Sequence, residues 1–231
     1  MCYADDSEPR LKAADLEKLA AERLAELQAG GKTLHPVVNK TRKLAQHFWG
    51  CAWMKQLALC ESGGMCLAPG RTLLRHGCVL HVGILPGRIS ALVSAEALYE
   101  VELQLAPLED EALESLSRNC GNHINSLLSL LEGKVDTAVL EQLCHPETGI
   151  LPTPEDWSMS CTCSDWAEPC PHAAAAIYAA GCLIDTDPRL LFTLRQIQPE
   201  SLLQAPQPGI EINAQQLAST FGIELDLDPL G

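Results

Sequence analysis

The chain has 231 residues, 47% of them apolar and 20% charged, with a mean hydropathy of +0.04, a balance that excludes an intrinsically disordered protein. Its 16 Lys+Arg against 30 Asp+Glu give a net charge of -14, which excludes a protein that coats nucleic acid over its whole surface. The imbalance is local: residues 1–88 hold 12 bases and 8 acids, and between residues 31 and 88 eight bases face a single acid, Glu61. Any polyanion contact is therefore expected in that stretch.

The first residues, Met-Cys-Tyr-Ala-Asp-Asp, have neither the basic nor the apolar region of a secretory signal. Apolar runs such as residues 173–184 are too short to span a membrane, and a cytoplasmic protein without membrane contact is expected. Residues 9–29 read as a helix, with Pro9 in the first turn after Ser7, leucines at 11, 16, 19, 24 and 27, and Gly30-Gly31 as its end. An extended Pro36-Val37-Val38 link leads to a second helix over residues 44–60. Its Phe48, Trp49, Ala52 and Trp53 form an aromatic stripe, expected to be buried where this helix meets the sheet.

Runs at residues 79–84 and 88–93 flank Leu85-Pro86-Gly87, and the Pro-Gly pair predicts a type II turn and a hairpin. Tyr99, Val101, Leu103 and Leu105 alternate with Glu100, Glu102 and Gln104, the pattern of a half-buried antiparallel strand. After Pro107 the period is helical through residue 143, and Pro146 with residues 149–154 forms a linker. Asp187-Pro188 reads as a cap and first-turn proline of a short helix, and the acidic, Pro-rich tail from residue 198 has one further helical stretch at 213–219. The expected architecture is α+β. An N-terminal helix and a basic link (1–45) precede an α+β domain with a small antiparallel sheet (46–150), then a zinc-stabilised finger with its following helix (151–197) and the tail (198–231).

Eleven cysteines are an odd number, and a disulfide framework is not needed by a chain of this size. Cys2, Cys51, Cys60, Cys66, Cys78, Cys120 and Cys144 stand singly and read as small buried hydrophobes. Cys161, Cys163, Cys170 and His172 form instead a C-x-C-x6-C-x-H set. Cysteines two apart on an extended strand share a face. The following loop can fold back, so that Cys170 and His172 approach from the turn opening an Ala-rich helix. Three thiolates and an imidazole match one tetrahedral structural Zn²⁺ with no position left for a catalytic water. A redox pair would prefer C-x-x-C and would leave His172 unexplained.

Cys161-Thr-Cys-Ser-Asp-Trp-Ala and Pro-Cys-Pro-His-Ala-Ala-Ala, with a short strand before and an Ala-rich helix after, resemble the bacterial SWIM zinc finger. The resemblance extends over residues 20–197, through Lys32-Thr-Leu-His-Pro-Val-Val, Phe48-Trp-Gly-Cys-Ala-Trp, Pro69-Gly-Arg-Thr, Arg75-His-Gly, Gly87-Arg-Ile, Tyr99-Glu-Val and Leu190-Leu-Phe. It implies a zinc-dependent interaction or DNA-binding element without assigned enzymatic activity, often encoded beside a helicase-like ATPase of the SWI/SNF type.

The finger contains Asp165 and Glu168 and no Lys or Arg between Cys161 and Ile184, so it suits protein contact better than phosphate contact. The leading expectation is a non-enzymatic zinc-binding adaptor for such an ATPase. The alternative is weak, direct DNA binding through residues 31–88, with Lys40, Arg42, Lys43, Arg71, Arg75 and Arg88 as the contact residues. A solvated basic face paired with the acidic half is the simpler reading of those bases. No G-x-G-x-x-G, P-loop, G-x-S-x-G or H-E-x-x-H motif supports an enzyme, and His76 and His81 read as ordinary strand histidines.

Overall fold

The sheet is assembled from local signals that the sequence carries. In this computed structural model, which describes residues 12–203 apart from Gly63, Asn125 and Trp166, strands β1 (Val79–Leu85) and β2 (Arg88–Ser94) form the expected hairpin. Gly87 takes a φ of 66°, the left-handed value that a type II turn requires at its second central position. Strand β3 (Leu98–Leu105) pairs with β2, and β4 (Trp157–Cys161) pairs with β3, all antiparallel in the order β1-β2-β3-β4. Ile89, Ala91 and Val93 of β2 and Val101, Leu103 and Leu105 of β3 point to the buried face, while Gln104 and Glu100 stay exposed.

That face is covered by α7 (Pro171–Thr186), which is flanked in turn by α2 (Phe48–Ser62) and α3 (Ala68–Arg75). Every residue of α7 from His172 to Gly181 is buried, so the helix has neighbours on all sides. Its alanines keep it thin enough for them. A Cβ at Gly70 of α3 would collide with the backbone of Ala174 and Ala175, and one at Gly181 would strike the Trp53 ring. Helix α3 contains both Pro69 and Gly70, the two residue types that disfavour a helix interior. Pro69 is harmless in the first turn, and Gly70 is the point where two helix backbones touch.

Helix α2 starts at Phe48, four residues later than the periodicity suggests. Its cap comes from across the fold: the Asp185 carboxylate, near the end of α7, accepts hydrogen bonds from Gln46 N at 3.0 Å and His47 N at 2.7 Å. Gly50 leaves the space that this carboxylate fills. Trp49 and Trp53 are buried, but chiefly against helices. Trp49 Nε1 donates to Leu130 O at 2.9 Å, from α5 (Leu127–Leu131), and its ring meets Phe192 edge-on. Trp53 Nε1 donates to Ile177 O of α7 at 3.2 Å, and its ring meets Trp157 of β4 edge-on.

Helices α4 (Asp110–Cys120) and α6 (Thr137–Leu143) pack together beside this core, and α8 (Arg189–Leu194) follows α7. Pro188 precedes α8, and the Asp187 carboxylate accepts from Arg189 N at 3.1 Å, one position from the arrangement that the sequence suggests. Helix α1 (Ala13–Ala29) is clamped to the turn between β2 and β3 by Arg23, whose guanidinium donates to Ser94 Oγ, Ala95 O, Ala97 O and Glu96 O. The Ser7-Pro9 start of that helix and the helical stretch at 213–219 lie outside the described residues. No helix among the described residues is long and apolar enough to cross a membrane.

Truncating Trp53 to Ala should cost about 3 to 5 kcal/mol, measurable by chemical denaturation, because a large fully buried aromatic leaves a cavity between α2 and α7. Burial also pushes the thiols of Cys60, Cys78 and Cys120 up, that of Cys78 to about 11. A raised thiol stays protonated at neutral pH, and the thiolate is the nucleophile. Mass spectrometry after iodoacetamide treatment at pH 8 should therefore find Cys78 unmodified in folded protein and alkylated after denaturation.

Candidate metal centre

Cys161, Cys163, Cys170 and His172 converge where β4 ends and α7 begins. Cys161 pairs with Val101, and the next residue, Thr162, ties the chain to β3 twice: its N–H donates to Glu100 O and its Oγ1 accepts from Glu100 N, each at 3.1 Å. The strand itself stops at Cys161, so Cys163 does not share an extended strand with it. A bend brings Cys163 round instead, with its N–H donating to the Cys161 sulfur and Asp165 N–H donating to its own sulfur. Cys170 is the N-cap of α7, and its sulfur accepts from Ala173 N at 3.4 Å. Each of the three sulfurs thus accepts a backbone N–H, which favours thiolates.

One donor atom from each of the four residues lies within 4.8 Å of every other. His172 Nδ1 sits 3.8 Å from Cys161 Sγ and 4.0 Å from Cys170 Sγ. A tetrahedral ion with metal–sulfur bonds of about 2.3 Å needs donor–donor edges of about 3.8 Å, so the observed spacing fits one ion at the centre. The four residues are a group able to hold a metal ion.

The Cys170 thiol is held well below the usual thiol range. Hydrogen bonding from Cys161 pulls it down first, with His172, the Ala173 N–H and Cys163 adding to the effect against the cost of burial. Its position at the positive end of α7 acts the same way. Cys161 is pushed up by donating to Cys170 and by burial, and Cys163 is raised chiefly by burial. A divalent cation bound there would replace these shared protons.

The ring of Tyr99, from β3, stacks on His172 with centroids 3.9 Å apart and planes at 27°. Tyr99 fixes the imidazole plane, a role that neither its place on an alternating strand nor the Tyr99-Glu-Val landmark discloses. The β3–β4 register is what brings it there, two residues from the Val101 that faces Cys161.

Three of the six bases expected to contact nucleic acid, Lys40, Arg71 and Arg88, pair with acids. Lys40, Arg42 and Lys43 lie in the link before α2, and Lys40 pairs with Glu17 of α1 at 3.5 Å. Arg71 is engaged internally: its guanidinium lies 4.9 Å over the Tyr178 ring, donates to the Tyr178 hydroxyl at 2.7 Å and pairs with Glu61 at 3.6 Å. Arg75 is half-buried on the same helix. Arg88 pairs with Glu102 at 3.9 Å beside the β1–β2 turn. The other end of β1, where Val37 bridges Val79 next to the Lys40 link, is about 20 Å away for a strand of this length. His76 lies at the end of α3 rather than on a strand and pairs with Glu17 at 3.1 Å, and His81 Nδ1 accepts from His35 N at 3.1 Å.

No protein-family model matches the chain, and no solved structure does. The chain is similar to an uncharacterized protein of Mycobacterium tuberculosis, Rv2102, with 25% identity over 163 residues that cover 69% of this chain. The matched stretch amounts to 58% of that protein's length, so this chain corresponds to somewhat more than half of the relative.

Proposed function

We propose that this protein is a zinc-stabilised, non-enzymatic accessory protein that acts by binding a protein partner. The observation that carries the reading is the closed ligand set: Cys161, Cys163, Cys170 and His172 supply four donors to one point, with Tyr99 packed over the imidazole. Soft thiolates with one imidazole select Zn²⁺ over harder cations, and a four-ligand site leaves no position for a reacting water. The metal's role is then to close the joint between sheet and helix. The SWIM-type reading of this finger adds the class of partner, a helicase-like ATPase of the SWI/SNF type acting on DNA.

Charge supports a protein partner over a nucleic acid at this end of the molecule. Between Lys134 and Arg189 the chain has no Lys or Arg, and Asp165 is exposed beside the ligands. A phosphate backbone approaching the finger would meet acid without compensation. Pairing of Lys40, Arg71 and Arg88 with Glu17, Glu61 and Glu102 fits a solvated basic face better than a phosphate-binding one.

Purified protein should contain about one equivalent of zinc per chain by atomic spectroscopy, since a closed structural site holds a single ion. Cys163→Ser should lose the metal and lower the melting temperature, because metal-binding energy is folding energy at such a site. Zinc should also leave as the pH falls, since protons compete for the thiolates and the imidazole. Well-folded wild-type protein without zinc would overturn the metal assignment. Affinity capture of the tagged protein from its native cell, with and without nuclease, tests the partner: nuclease-resistant recovery of an ATPase is expected, and recovery of nucleic acid alone would replace this reading with direct binding.

A further inference from the structure

Strand β4 closes the four-stranded sheet on one side, and the register shows which of its backbone groups are left over. Ala106 N donates to Asp156 O at 3.0 Å and Thr162 N donates to Glu100 O at 3.1 Å. Antiparallel pairs alternate between hydrogen-bonded and non-hydrogen-bonded, so Ser158 and Ser160 direct their backbone groups toward β3. The N–H and C=O of Met159 and Cys161 therefore point to the outer edge, and among the described residues they have no backbone partner. Sheets usually protect such an edge with Lys, Pro or a bulge. Trp-Ser-Met-Ser-Cys has no Lys or Pro, and its pairing with β3 runs without a break in register from Trp157 to Cys161.

We infer that the free edge of β4 takes up an extended segment of a partner protein as a fifth strand, in which Lys or Arg alternates with apolar residues. This rests on the protein-binding reading given above and specifies the chemistry of the partner.

The side chains on the two faces select that alternation. On the outer face Ser158 and Ser160 are small and exposed, and Ser160 sits beside Glu102, with Glu100 next along β3. Strands lie about 4.8 Å apart, so a Lys or Arg on the added strand can extend across Ser160 to Glu102 or Glu100. Glu100 has no ion pair among the described residues, and Glu102 has one exposed ion pair, with Arg88 at 3.9 Å, besides accepting from Gln104 Nε2 at 3.3 Å. Glu155 and Asp165, both exposed, precede and follow β4 in the chain. On the opposite face Trp157 and Met159 are half-buried against the core, and apolar side chains of the added strand would continue that surface. Main-chain bonds give such a complex its affinity, and the alternating side chains give it specificity. A nucleic acid would be repelled by the same carboxylates. A second β4 would bring no base to them.

The test uses the full-length, zinc-loaded protein and a fluorescent heptapeptide of alternating Lys and Val. Its controls are the same peptide with Glu in place of Lys and a version N-methylated at alternate amides. Saturable binding of the basic peptide is expected, with the acidic and N-methylated peptides weaker by about tenfold, the equivalent of one lost hydrogen bond.

Met159→Pro removes a donor that faces away from β3, where proline is tolerated, and should weaken binding by a similar factor at unchanged zinc content. Ser160→Lys, on the exposed face, should lose the basic peptide without any effect on folding. Absence of saturable binding, equal binding of acidic and basic peptides, indifference to N-methylation, or a dimer formed through this edge would each overturn the inference. Undiminished capture of a protein partner by Met159→Pro would remove the edge while leaving the accessory function. Failure of the wild type to capture any protein would remove the reading on which the edge rests.

Discussion

Helix α7 is enclosed by the sheet, α2 and α3, and this enclosure governs the rest of the molecule. A helix with neighbours on one side needs a single apolar stripe, whereas a helix with neighbours on all sides needs small residues all round. Ala173 to Ala176, Ala179, Ala180 and Gly181 supply them, and Gly70 returns the favour from α3 by meeting the α7 backbone directly. Both ends of α7 act on other elements. Cys170 and His172 in the first turn join it to β4, and Asp185 in the last turn caps α2.

The joint between β4 and α7 shows why a metal suits this position. Residues 162–170 are mostly small or polar and cannot form a core of their own, yet they must hold the end of a strand against the start of a buried helix. Four ligands on one ion hold such a segment with little apolar surface. The backbone N–H groups aimed at the sulfurs and the stacked Tyr99 ring orient the ligands before any ion arrives, which reduces the ordering that binding must achieve.

Charge is distributed differently in space than along the chain. A stretch with eight bases and one acid looks like a polyanion site when only its own residues are counted. In the fold, Glu17 comes from α1 to Lys40, Glu102 comes from β3 to Arg88, and the one local acid, Glu61, meets Arg71. Exposed pairs of this kind add little stability. Arg71 is held more firmly, by the Tyr178 ring and hydroxyl as well as by Glu61. The acidic stretch from Val135 to Pro188, by contrast, has no Lys or Arg within it, and it includes both β4 and the candidate metal ligands.

The β1–β2 hairpin, the alternation of β3 and the spacing of Cys161, Cys163, Cys170 and His172 were legible in the sequence. Each is a relation among residues near one another in the chain: a period of two, a Pro-Gly turn, a ligand interval. The helix through Pro69-Gly70 was not legible, because those residues break an isolated helix and only contact with α7 makes Gly70 an advantage. The Asp185 cap, the Tyr99–His172 stack and the position of β4 at the sheet edge were decided by tertiary structure for the same reason. The first two join residues 138 and 73 positions apart, the third depends on which strands pair among the described residues, and local propensity says nothing about which distant elements will meet.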